Sequence, residues 1–208
     1  MGQNVDPVWE KATGNHQSPN AAAVDATGLY RQGSVNEGGH WGVKTDLHGR
    51  TLWVNDRNQA DPWMGGGEAL TLVNGRLFEL MRDGTVYGSD ATTGRVFTGS
   101  GTQPQPWNLR WEGYQAPKGT SDDARRKRHI AESPHDLAGD AVNGLLVAAY
   151  PQHDALVWFD ARDGRHVDQA EGIAGLAGIA VGPDGSVFAI AQGRVIALSR
   201  KDKTPRAV

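Results

Sequence analysis

A short β-prone run, closed by a glycine-containing turn and followed at once by another such run, recurs through most of this 208-residue chain. The clearest stretch is Leu72 to Phe97, LVNGRLFELMRDGTVYGSDATTGRVF. With the residues before it, it parses as ALTLV, a turn at Asn74-Gly75, RLFELM, a turn at Arg82-Asp83-Gly84, TVYGSD, a turn from Ala91 to Gly94, and RVFTG. Asn-Gly and Asp-Gly between apolar runs are strong hairpin signals, because the tightest hairpin turns need a left-handed backbone. Glycine is in excess, at 28 residues, and falls after Asp, Asn or His, where turns require it, rather than in a linker. Helical periodicity is nearly absent. The best helix candidate is Ser121–Ser133, which opens on a Ser N-cap with acids in its first turn.

The same order of runs and turns appears four times. Asp140 to Val167 reads DAVNGLLVAAYPQHDALVWFDARDGRHV, and a shorter copy near the C-terminus reads GIAVGPDGSVFAIAQGRVIALS. Near the start, AAAVDATGLYRQGSVNEGGHWGVKTDLHGRTLWV fits again. Three copies share a third turn of Asp, a few residues, Gly, then Arg, at Asp46–Arg50, Asp90–Arg95 and Asp160–Arg165. An Asp side chain there accepts from turn amides, Gly takes the positive φ, and the Arg guards an outer strand edge. Four short antiparallel strands in about 35 residues make one blade of a β-propeller.

The expected fold is therefore all-β: a β-propeller of about four antiparallel four-stranded blades, at roughly 20–56, 68–101, 136–171 and 173–208, with 102–135 inserted as a loop and short helix. The last copy shows three clear strands, so residues 5–13, which include PVWEK, are a candidate closing strand. The other possibility is a fragment of a larger propeller.

IAVGPDGSVFAI resembles the first two strands of an NHL-type blade. DGTVYGSDATTGRVF is similar to a quinoprotein-like (PQQ-type repeat) blade through Asp90, Ala91, Thr93, Gly94 and Arg95. Where that pattern ends in Trp, this chain has Thr98 in one copy and Asp168 in the next. In the quinoprotein family those tryptophans pack between blades. The resemblance implies a propeller and does not by itself imply one activity, since propellers host many.

The rest of the sequence mostly excludes. With no cysteine, there is no disulfide, thiolate nucleophile or Cys-ligated metal. With 21 basic and 24 acidic residues, the net charge of -3 exerts no global pull toward nucleic acid. The basic run Asp123–His129 reads as a solvated face, so no nucleic-acid partner is expected. No stretch approaches the ~18 apolar residues of a membrane span. The N-terminus has no signal-peptide pattern, so a soluble chain is expected, with an exported parent protein left open. There is no Gly-x-Ser-x-Gly elbow, P-loop or His-Glu-x-x-His.

Propeller geometry sorts the polar residues. Loops between the second and third strands of a blade, and between blades, share one face, which usually binds ligands. His40, Asp56, Arg57, Glu68, Arg82, Asp83, His135, Asp136, His153 and Asp154 fall in those loops. The His-Asp pairs at 135–136 and 153–154 lie in one blade. They suit a divalent cation, hydrogen bonds to a sugar or acid, or plain turn chemistry. Trp63, Trp107 and Trp111 stand in Pro- and Gly-rich stretches, where aromatics stack on sugars or anchor long loops. The opposite face is expected to carry only tight-turn chemistry.

The leading expectation is a noncatalytic β-propeller module that binds a small molecule, a carbohydrate or a protein partner on one face. The alternatives are a propeller enzyme similar to metal-dependent lactonases or quinoprotein dehydrogenases, and a structural fragment of a larger propeller.

Overall fold

Each tight turn returns the chain antiparallel beside itself, and the result is four separate sheets. The structure, a computed structural model, describes residues 17–35, 40–57, 67–81, 84–97, 107–109 and 133–208. Blade 1 comprises β1 (Gln17–Asp25), β2 (Gly28–Val35), β3 (His40–Thr45) and β4 (Thr51–Arg57). Blade 2 comprises β5 (Gly67–Val73), β6 (Arg76–Met81), β7 (Thr85–Asp90) and β8 (Trp107–Asn108). Blade 3 holds β9 (Asp136–Asp140), β10 (Leu145–Tyr150), β11 (Ala155–Asp160) and β12 (His166–Ala170). Blade 4 holds β13 (Leu176–Val181), β14 (Val187–Ala191), β15 (Arg194–Leu198) and β16 (Arg206–Ala207). In every blade the strands pair in sequence order.

The turn chemistry matches its sequence signals. Asn74 and Gly75 both take positive φ, 50° and 75°, as a two-residue turn of the primed type demands. In the shared third turn, the Gly94 N–H donates to the Asp90 carbonyl at 2.8 Å and the Gly164 N–H to the Asp160 carbonyl at 2.8 Å. The carboxylates collect the remaining amides. Asp90 Oδ1 accepts from the Thr92 and Thr93 N–H groups at 3.0 and 2.8 Å, and Asp46 Oδ1 accepts from those of His48 and Arg50.

Two outer strands differ from the sequence expectation. In blade 2, RVFTG is not a continuous strand: Val96 bridges Ser89, and the outer strand resumes at Trp107 opposite Val86. The intervening residues 98–106 lie outside the described set. Phe97 and Trp107 both pack on Phe78, with ring centroids 5.9 and 5.7 Å away, so the two pieces are held by one core residue. In blade 4, β16 pairs along the outer edge of β15, with Ile196 opposite Ala207; the candidate closing strand at residues 5–13 lies outside the described set. The helix expected at Ser121–Ser133 also lies outside it, except for Ser133.

Apolar alternation along each strand buries one sheet face on the next blade. Tyr30 of blade 1 packs with Leu70 and Leu77 of blade 2. Phe78 and Leu80 of blade 2 pack with Leu146 and Phe159 of blade 3. Val147 and Trp158 of blade 3 pack with Val187 and Leu198 of blade 4. At the rim, the Trp53 ring lies over the turn of blade 2, where a Cβ built on Gly94 would come within 2.7 Å of it. The Trp107 ring covers Gly164 of blade 3 in the same way, at 2.8 Å. The joint between blades 3 and 4 instead carries an ion pair, Asp168 with Lys203, at 2.5 Å.

The inner strands succeed one another, β1 beside β5, β5 beside β9 and β9 beside β13. Among the described residues, β1 and β13 do not pack together as these neighbours do.

Candidate functional site

Two of the singled-out carboxylates on the expected ligand face are occupied by the fold. Asp136 Oδ2 accepts the Ile179 N–H of blade 4 at 2.9 Å, and its Oδ1 accepts the Leu137 N–H. Asp154 sits in the left-handed region (φ 49°) after the 3-10 turn Pro151–His153. Its carbonyl accepts the Ile173 N–H at 2.8 Å, and its carboxylate accepts the Gly175 N–H at 3.2 Å. Each carboxylate therefore ties blade 3 to the start of blade 4. His135 is exposed, and the half-buried His153 ring lies 6.4 Å from that of Tyr150. Glu68 is exposed at the start of β5.

His40, Asp56 and Arg57 lie where β3 and β4 pair, with His40 opposite Arg57 and Trp41 opposite Asp56. Arg82, Asp83, Trp63 and Trp111 lie outside the described residues. Trp107 packs between blades 2 and 3, as above. Among the described residues, no group of three or more His, Asp or Glu is placed to hold a metal ion.

A recess opens on the opposite face, between blades 2 and 3. It measures about 630 Å³ and is lined by the Asn74 and Asn143 turns, Arg76, and the Asp160–Arg162 turn. Hydrogen bonding neutralises most of this lining. Asn143 gives its N–H and its side-chain amide to Asp140, at 3.0 and 2.7 Å. Asp160 receives the Arg162 guanidinium at 2.6 Å, and its carboxyl is held down to about 2, chiefly by that bond. Arg76 is different. One Nη donates to the Ala161 carbonyl at 3.3 Å, and the guanidinium lies 4.8 Å over the Phe97 ring. Among the described residues it forms no ion pair. The recess thus holds, among the described residues, one positive charge without an ion-pair partner, half-buried, with N–H donors to spare. Arg76 adds a guanidinium to this face, where only tight-turn chemistry is expected from the sequence. Its role depends on Ala161 in the next blade, so no local motif marks it.

Two further charged groups are buried where sequence reading placed none. Lys44 is 3% exposed; its Nζ donates to Thr27 Oγ1 and to the Ala91 carbonyl, 4.7 Å above the Tyr30 ring. Glu79 is fully buried in β6, facing Gly42.

No protein-family model matches the chain, and no curated protein does. Solved structures do. The computationally designed Ika4 protein aligns over 96% of this chain and 99% of its own, at 17% identity and a TM-score of 0.57. The RRP9 WD40 repeats align with 93% of this chain at 10% identity and a TM-score of 0.65. The Neurospora crassa Pan2 WD40 domain aligns with 98% of it at 12% identity and a TM-score of 0.60. The chain spans about half the length of each of these two WD40 structures, 52% in both cases. At such identities the likeness shows the fold alone.

Proposed function

We propose that this β-propeller is a noncatalytic binding module, and that the recess between blades 2 and 3 holds a small acidic ligand. The observation that carries this is Arg76: a half-buried guanidinium without an ion-pair partner among the described residues, facing a recess of small-ligand size. The Asn74 side chain in the turn beside it offers a further hydrogen bond to a carboxylate or a polyol acid. A noncatalytic role is supported by Asp136 and Asp154, whose carboxylates already accept main-chain N–H groups.

The repeat reads closest to the quinoprotein-like kind. Trp53 over Gly94 and Trp107 over Gly164 support that reading, because each tryptophan packs between blades.

The test is thermal unfolding with succinate, citrate, gluconate or phosphate at constant ionic strength, on wild type and Arg76→Gln. An anion that binds the native state raises the midpoint of wild type by about 2–4 °C per kcal/mol of linkage and leaves Arg76→Gln unmoved. Equal shifts in both proteins, or none in wild type, would sink the proposal.

A further inference from the structure

Among the described residues, the first and last blades each carry an exposed apolar face. On blade 4, alternation sends Val187, Ala189, Ile196 and Leu198 into the joint with blade 3. The other face therefore carries Phe188, Ile190 and Val195, and Ile190 and Val195 are 50% and 47% exposed. On blade 1, Tyr30 and Trp53 face blade 2. The far face carries Val24, Leu52 and Val54, exposed by 66%, 44% and 63%. Such faces are covered at all three internal joints, where apolar side chains of one blade meet those of the next. Apolar sheet faces left in water at both ends favour association.

We infer that a second copy of this chain covers both ends, closing an eight-bladed ring with two-fold symmetry. The blade 4 face of each copy meets the blade 1 face of the other. A head-to-tail joint of this kind closes when the rotation per blade completes the circle, and two copies then make two identical joints. Two observations favour a second copy. Among the described residues, β1 and β13 do not pack as successive inner strands do, so the described blades leave the ring open. Its four blades also superpose on only 52% of each WD40 structure, which leaves room in a ring of that size for a second set. Eight blades lie within the usual range for propellers. The inference does not depend on the ligand proposed for the recess.

The experiment is light scattering coupled to size exclusion on residues 1–208, with Ile190→Asp and Val54→Asp as variants. Both substitutions fall at exposed positions, and far-UV circular dichroism checks that the blades remain. Wild type is expected at twice the chain mass and each variant at the chain mass. Mixing the two variants should restore part of the dimer, because the intact blade 4 face of Val54→Asp meets the intact blade 1 face of Ile190→Asp. A monomeric wild type would overturn the inference. So would polydisperse association, which would mean that other blades belong on these faces. So would a dimer that both substitutions leave intact.

Discussion

Asp160 is more heavily engaged than Asp46 or Asp90 in the equivalent turns. It accepts the Arg162 N–H and guanidinium and has Arg165 at 3.9 Å. Its carboxyl, 6% exposed as a residue, is held down to about 2, first by the Arg162 side-chain bond. In the unfolded chain an Asp titrates near ~3.9. The folded value is the lower one, so the stabilisation is fully present above about pH 4 and is lost as pH falls toward about 2. Arg162 stands in solvent, which reduces the effect to about 1 kcal/mol. Asp160→Asn should therefore lower stability by about 1 kcal/mol near neutrality, change little near pH 2 and so flatten the acid limb between, as urea unfolding at stepped pH would show. An unchanged acid limb would assign the loss to other carboxylates. At this scale the turn was legible, because Asp, Gly and Arg at fixed spacing carry their own geometry. Arg76 was not, because its surroundings come from residues 85 positions away.

Among the elements, hairpins were legible and joints were not. The Asn-Gly and Asp-Gly turns determine strand pairing within a blade, and that pairing is local. The outer strand of blade 2 was misplaced because residues 98–106 separate Phe97 from Trp107, and the two are reunited by their contact with each other and with Phe78. The His-Asp pairs look like site chemistry in one dimension, yet in three dimensions both carboxylates fasten blade 3 to blade 4. Asp136→Ala removes the acceptor of the Ile179 N–H and should cost about 1–2 kcal/mol. The measurement that checks it is amide exchange at Ile179, which should accelerate more than exchange within β10. Equal acceleration at both would mean that the blades unfold as one unit. No change would mean that another acceptor replaces the carboxylate.

For the whole molecule, four similar blades were countable from the turns alone, whereas closure was not, because it depends on rotation per blade rather than on any residue pattern. An array of this kind draws stability from neighbours, so its middle should outlast its ends. β10 and β11 are buried along their whole length, with covered faces on both sides. Native-state hydrogen exchange should therefore find its slowest amides in Leu145–Tyr150 and Ala155–Asp160, ahead of β2 and β14. Uniform protection across the blades would show a fully cooperative fold instead. The three joints are also unequal in kind. At the rim, two are closed by an indole over a glycine, which dissolved ions scarcely affect. The third is closed by Asp168 and Lys203, both partly in solvent, and salt screens such a pair. Rising ionic strength should therefore loosen one seam and spare the other two. Salt thereby singles out one rim contact of the three, while the apolar joint and the Asp136 and Asp154 bonds beneath it stay in place.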